Sequence, residues 1–165
     1  KSGSHPERYH MGYTEEESHS GKGCGFVISK KKESGCTGTL MQGFEPGKFR
    51  GKRIKLTAWA KSKGIKLWAG IWLRVDTVQR TAVAFDNMKD RPIMGTTDWT
   101  QYSLVLDVHE EANNIAFGLL LVGSGSLWAD DFEFKTVSKK VPVTDLKSFL
   151  PCYSNEFPTN LDFSE

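Results

Sequence analysis

The chain has no long apolar run. Its longest, "NIAFGLLLVG" beginning at Asn114, falls short of the roughly 18 residues a membrane-spanning helix requires, so no membrane partner is expected. It also has no excess of either charge. Lys plus Arg number 22 and Asp plus Glu 20, a net charge of +2, and the lysines are scattered rather than aligned. That excludes an electrostatic nucleic-acid binder, and the runs "SKKKE" and "SKK" read as solvated strand ends and turns. Cysteine is sparse: Cys24, Cys36 and Cys152 sit at spacings that suit no zinc site. A cytoplasmic, reduced setting fits three thiols most simply. Secretion with one disulfide and a spare thiol stays open, because no signal peptide is visible but a leader ahead of Lys1 can have been removed.

Catalytic constellations are missing as well. His5, His10, His19 and His109 form no H-E-x-x-H pattern, and three of them stand in a polar N-terminal region. No G-x-S-x-G elbow occurs, "GKGCG" lacks the helix that a phosphate loop serves, and Cys24 and Cys36 have no visible activating base. The acids at 15–17 and 110–111 read as turn or surface charge rather than as a glycosidase pair. An enzyme is therefore not expected. Sustained 3.6-residue periodicity is absent throughout, which argues against a helical fold.

What is present is a series of short apolar runs separated by turn formers. Strands are expected at 24–30, 38–44, 53–62, 67–76, 81–87, 101–108, 114–122 and 126–136, with a further one in "RYHMGYT". Between them lie "ESG", "EPGKFRG", "KSKG", "DRPIMGTTD", "EEAN" and "GSG". At 165 residues, 38% hydrophobic and 25% charged, the chain suits one globular domain. Strands of this number and length point to an all-β sandwich or barrel. Residues 1–137 form its body. Residues 138–165, with Pro142, Pro151 and Pro158, read as a wrapping tail ending in a strand at 160–165 that completes the same domain.

The segments "HSGKG", "GTLMQGFEPGKFRGKRIKLTAWAKS", "GTTDWTQYSLVLDV" and "LWADDFEF", in that order, resemble the galactose-binding-domain-like jelly rolls, the fold of many carbohydrate-binding modules. "WAGIWLRVD" and "AFDNMKDRPIMGTTDW" are similar to a poorly characterised bacterial module, sometimes attached to arabinose-type transcription regulators; no helix-turn-helix segment is visible here. The resemblance implies a jelly-roll β-sandwich. It places Trp99 at the core edge and implies a structural calcium held by Asp131 with the backbone of Ser20 to Lys22. Ser164 stands where the pattern has an acid. "NLDFSE", which such folds use as an opening strand, closes this sequence. A returning strand, as in circular permutation, and the beginning of a following repeat are the two readings.

The stretch "LWAGIWLRVD" supplies the candidate site. With period two, Leu67, Ala69, Ile71, Leu73 and Val75 face a core, and Trp68, Trp72, Arg74 and Asp76 face away. In 53–62 the same alternation leaves Trp59 on the non-core side. A jelly roll with a concave outer sheet would gather these residues, with Gln42, into an aromatic trough. Indole faces suit the C–H faces of a sugar, and Arg with Asp suits its hydroxyls. Asp86, Asn87 and Arg91 form the expected rim; the alternative is that they end the strand and pair with one another. The expected function is a non-catalytic ligand-binding or sensing module for a carbohydrate or other small polar ligand. A protein-interaction or oligomerisation domain, as a homodimer or beside a regulator domain, is the alternative.

Overall fold

The computed structural model describes residues 1–30, 35–78 and 82–145. The alternating pattern gives an all-β jelly-roll fold. Among the described residues its strands are β1 (Tyr9–Thr14), β2 (Cys24–Ser29), β3 (Thr37–Phe44), β4 (Arg53–Thr77), β5 (Ala82–Asp86), β6 (Ile93–Asp107), β7 (Ala112–Val122) and β8 (Ser126–Val137), with 3-10 turns at Pro6–Arg8 and Gly47–Phe49. Every pairing is antiparallel.

The two strands expected at 53–62 and 67–76 are one. Residues 53–63 of β4 pair with β8, and 53–60 also with β6. Residues 68–77 pair with β7, and 73–76 also with β5. One layer therefore runs β1-β2-β8-β4-β6 and the other β3-β7-β4-β5, joined as a curled sheet through β4. The bend falls at the "KSKG" read as a turn, where the β4–β6 register slips three times between Ala60 and Ala69. Gly64 takes the left-handed φ of 62° that the bend requires. Side chains replace the interrupted ladder. The Ser62 and Thr97 hydroxyls meet at 2.9 Å, the Thr97 amide donates to Ser62 Oγ at 3.1 Å, and the Gly64 amide donates to Thr96 Oγ1 at 3.0 Å. The strand thus changes layer with side-chain hydroxyls taking two of the backbone amides at the bend. Gly95, Thr96 and Thr97 belong to "DRPIMGTTD", expected as a turn segment, but β6 already begins within it, at Ile93.

The core lies between the layers. Ile54, Leu56, Ala58 and Ala60 face it before the bend and Ala69, Ile71, Leu73 and Val75 after it, all buried, with Leu104, Leu106, Ile115, Leu119, Leu121, Leu127 and Val27. Each fully buried Leu or Ile contributes about 1.5–3 kcal/mol. Leu67 departs from its expected place in that row. It sits at the bend against Gly123 and is 44% exposed.

The described part of the tail, 138–145, runs along β6. Arg53 Nη1 donates to the carbonyls of Lys139 and Val141 at 2.7 and 2.6 Å, and the Thr144 amide donates to that of Val105 at 2.8 Å. The expected closing strand at 160–165 lies outside the described residues, as does Cys152.

Candidate functional site

The bend in β4 separates the expected trough into two surfaces. Core-facing positions are even-numbered before it and odd-numbered after it, so the outward side chains change parity too. Trp59 looks out from the β1-β2-β8-β4-β6 layer, whereas Trp68, Trp72, Arg74 and Asp76 look out from the other. Trp59 and Trp72 are on opposite faces of the sandwich, because the strand that carries both passes from one layer to the other. Gathering them in one trough does not hold.

On the second layer Trp72 is paired with Gly118 and is only 6% exposed. Its Nε1 has no hydrogen-bond partner among the described residues. Arg74 lies over its ring, 5.9 Å from the centroid, and donates from Nη2 to Asp76 Oδ2 at 3.1 Å. Arg74 Nε is 2.8 Å from Asp76 Oδ1 but off the hydrogen-bond line. Asn114 Nδ2 donates to Asp76 Oδ2 at 3.0 Å. The buried Asp76 carboxylate is thus engaged by protein donors.

Asp86 and Arg91 come together as a pair. Asp86 is buried on the core side of β5, where its Oδ1 accepts from the Met88 amide at 2.9 Å and from Arg91 Nη1 at 3.1 Å, while Oδ2 accepts from Arg91 Nη2 at 2.5 Å. Asn87 Oδ1 accepts from the Lys89 amide at 3.1 Å. These are the bonds of a strand end and its loop, the alternative open in the sequence.

The outer face of the first layer carries more aromatic surface than the sequence reading recognised. Trp128 pairs with Phe26 and Lys61 on the side that Trp59 also faces. Trp99, expected at the core edge, is here too, because Tyr102 and Leu104 take the inward positions of β6. A strap at 15–20 covers part of this face. The His19 ring stacks on Trp59 at 4.0 Å and 12°, Trp99 meets it edge-on at 5.7 Å, and Lys61 Nζ donates to Glu17 Oε2 at 2.9 Å.

The Asp130–Asp131 pair fastens the strap. Consecutive residues in a regular strand point to opposite faces, but β8 slips by one residue between Thr57 and Trp59, and Asp131 takes a φ of 52°. Both carboxylates can then face the strap. Asp130 Oδ2 accepts the amides of His19 and Ser20, each at 3.0 Å. Asp131 Oδ1 accepts the Ser20 hydroxyl at 2.6 Å, and Oδ2 accepts His19 Nδ1 at 2.7 Å. Ser20 first, then His19, holds the Asp131 carboxyl below its usual range. The arrangement does not fit the calcium implied for Asp131, Ser20 and Lys22, since donors occupy both Asp131 oxygens and the strap presents amides rather than carbonyls to Asp130. Among the described residues no group of three His, Cys, Asp or Glu could hold a metal ion.

The concavity with mixed chemistry lies elsewhere, between the layers. A cleft of about 470 Å³ is walled by β1, β2 and β8 on one side and by β3 and β7 on the other. Tyr13, Phe117 and Phe132 bring rings to it, Leu40 and Leu119 aliphatic surface and Gln42 an amide; Asp130 and Asp131 also line it, while their carboxylates bond the strap. Gln42 is the one residue expected to bind the ligand that is found here. Tyr13, 62% exposed, stands beside Gly23, where a Cβ would come within 2.7 Å of the ring. Phe117 is fixed from behind by Phe44 and Phe134, with centroids at 6.1 and 5.0 Å. Cys24 also lines the cleft, but burial, with the Asp130 charge next, pushes its thiol up to about 11, so it stays protonated and unreactive. A larger hollow of about 590 Å³ at Arg50, Thr77, Val78 and 110–113 has no aromatic ring.

This architecture has known counterparts. The second family 16 carbohydrate-binding module superposes with a TM-score of 0.54 at 15% identity, over 77% of this chain and 86% of that one. The CBM22-1 xylan-binding domain of Paenibacillus barcinonensis Xyn10C gives 0.53 at 10% identity, over 79% and 82%. The fold is that of the carbohydrate-binding jelly rolls. In sequence the chain is 41% identical over 165 residues to an uncharacterised HTH-type transcriptional regulator, YbfP, of Bacillus subtilis strain 168. It spans 55% of that protein's length. No family model matches the chain. No helix among the described residues is long and apolar enough to cross a membrane.

Proposed function

We propose that this chain is a non-catalytic ligand-binding module that takes a carbohydrate-like ligand in the cleft between its layers. The observation that carries the reading is the convergence, in one 470 Å³ concavity, of the aromatic residues Tyr13, Phe117 and Phe132 with Gln42 and the aliphatic Leu40 and Leu119. Ring faces cover the C–H face of a pyranose, and the Gln42 amide replaces water at its hydroxyls. The walls are strands, so little ordering is lost on binding. Kinship of fold with carbohydrate-binding modules supports the reading, and so does the kind of protein the sequence relative is. A sugar-binding module within a transcription regulator would act as its sensor, with the chain's partner being the rest of that protein. A glycan array followed by calorimetry tests it. Tyr13→Ala and Gln42→Ala, both at exposed positions, should each weaken the best sugar about tenfold, roughly 1.4 kcal/mol, without lowering Tm. Absence of binding across the array, or binding indifferent to both variants, would overturn it.

A further inference from the structure

The cleft differs between its mouth and its floor. Among its lining side chains Tyr13, Met41 and Gln42 are exposed and form the mouth. Leu119 and Ala129 are almost wholly buried, and Leu40, Phe117 and Phe132 are half-buried, so part of each of these three stays uncovered by the core it packs against. No Lys or Arg lines the space, and the Asp130 and Asp131 carboxylates accept from the strap on the outer face. The strands of the floor pair within their sheets, Leu40 with Leu119 and Gly25 with Ala129, which engages their backbone. Strong side-chain hydrogen bonding to a ligand therefore falls to the Gln42 amide and the Tyr13 hydroxyl. Gly25 leaves the floor open, since a Cβ there would stand 3.3 Å from Leu40 Cδ2 and 3.8 Å from Leu119 Cδ1.

Sugars meet such a space unequally. A free sugar, or an oligosaccharide running through the cleft, carries hydroxyls all round its ring. Each one set against Leu40 or the phenylalanines gives up its water and gains no partner, which costs as much as a lost hydrogen bond. A sugar substituted at one position by an apolar group has two unlike ends, as the cleft does. Its ring meets Tyr13 and Gln42, and the substituent covers the floor, where it contributes through apolar area alone. Phe117 and Phe132, with centroids 5.4 Å apart and planes at 55°, give an aromatic substituent a tilted pair of rings to pack on. Resting on the reading of the cleft as a carbohydrate site, we propose that its ligand is a glycoside with an aromatic aglycone, the sugar ring at the mouth beside Tyr13 and Gln42 and the aglycone on the floor against Leu40, Phe117 and Phe132. The cleft would then select by what the sugar is attached to, not by the sugar ring alone.

Methyl and phenyl β-glycosides of glucose and of galactose test this, with phenol as the aglycone alone. Calorimetry with the whole chain should show the phenyl glycoside of one of these sugars bound about tenfold more tightly than its methyl counterpart, the gain from covering roughly 60 Å² of ring surface. Its heat-capacity change should be the more negative of the two, and phenol alone should bind far more weakly. Gly25→Ala puts a methyl group on the floor, against a half-buried Leu40 that can yield. It should remove most of the phenyl advantage and leave the affinity for the methyl glycoside little changed. The glycoside comparison on the unaltered chain stands whatever that variant does to Tm. Equal binding of methyl and phenyl glycosides would overturn the proposal while leaving a sugar-binding module intact, and so would a phenyl advantage that survives in a folded Gly25→Ala. Phenol bound as tightly as the phenyl glycoside would overturn the proposal and the sugar reading together. Failure of every probe to bind would also overturn the proposal, and the glycan array separately decides whether the sugar-binding reading falls too.

Discussion

Replacing Arg91 by Ala removes the cation from a carboxylate that has no contact with water. Asp86 is 0% exposed, and two of its bonds go to the Arg91 guanidinium at 3.1 and 2.5 Å. Breaking a buried ion pair from one side costs about 3–5 kcal/mol, because the remaining charge is stranded. Two features reduce that here. The Arg91 side chain is 33% exposed, so water enters the space it leaves, and the Met88 amide still donates to Asp86 at 2.9 Å. A loss of about 3 kcal/mol is expected, a large share of the roughly 5–15 kcal/mol of a typical domain. Urea unfolding at neutral pH measures it, with the slope unchanged if the native state keeps its compactness. Asp86→Ala and the double variant complete a cycle whose coupling should exceed about 1 kcal/mol. A loss below about 1 kcal/mol, together with weakened sugar binding, would refute the structural reading and return Asp86, Asn87 and Arg91 to a ligand rim.

Leu73→Ala should cost about 2–5 kcal/mol in the same assay, whereas Leu67→Ala, on the same alternating row but exposed at the bend, should cost under about 1 kcal/mol. Arg53→Ala should speed tryptic cleavage at Lys139 and Lys140, because Arg53 holds the carbonyls of Lys139 and Val141. The hydrogen bond from Arg53, then that from Lys139, lowers the Asp107 carboxyl to about 2. Its contribution is therefore present above the ordinary carboxylate range near pH ~4 and lost as pH falls through that lowered value. Asp107→Asn should flatten the stability profile across this acid limb. The effect should stay below about 1 kcal/mol, since the Asp107 side chain is 45% exposed.

The sheet was legible in the sequence because period-two alternation survives wherever one face is buried. Ile54 to Ala60 and Ala69 to Val75 are inward as the pattern requires. The layer crossing was harder to read. Its trace is the change of core parity from even to odd across "KSKG", which looks the same whether a chain turns back or bends onward. Only the Ser62, Thr96 and Thr97 hydroxyls decide between those, and their partners are more than thirty residues apart in sequence. The cleft was nearly illegible. Five strands each give it two to four residues, several of them glycine, and no local stretch carries a signature. "DDF" and Gln42 were visible, but the bulge that turns both aspartates toward the strap appears only in the pairing register. Trp72 and Arg74 drew attention by residue type, and the fold lays Arg74 over the Trp72 ring and pairs it with Asp76, which Asn114 also holds.

Backbone amide chemical shifts, recorded while the best sugar from the array is titrated into the labelled protein, test the central claim most directly. Changes clustering at 12–13, 23–25, 40–42, 117–119 and 129–132 are predicted, since these segments enclose the cleft. Changes confined instead to 72–76 and 114 would place the ligand on the outer face of the second layer and contradict the account.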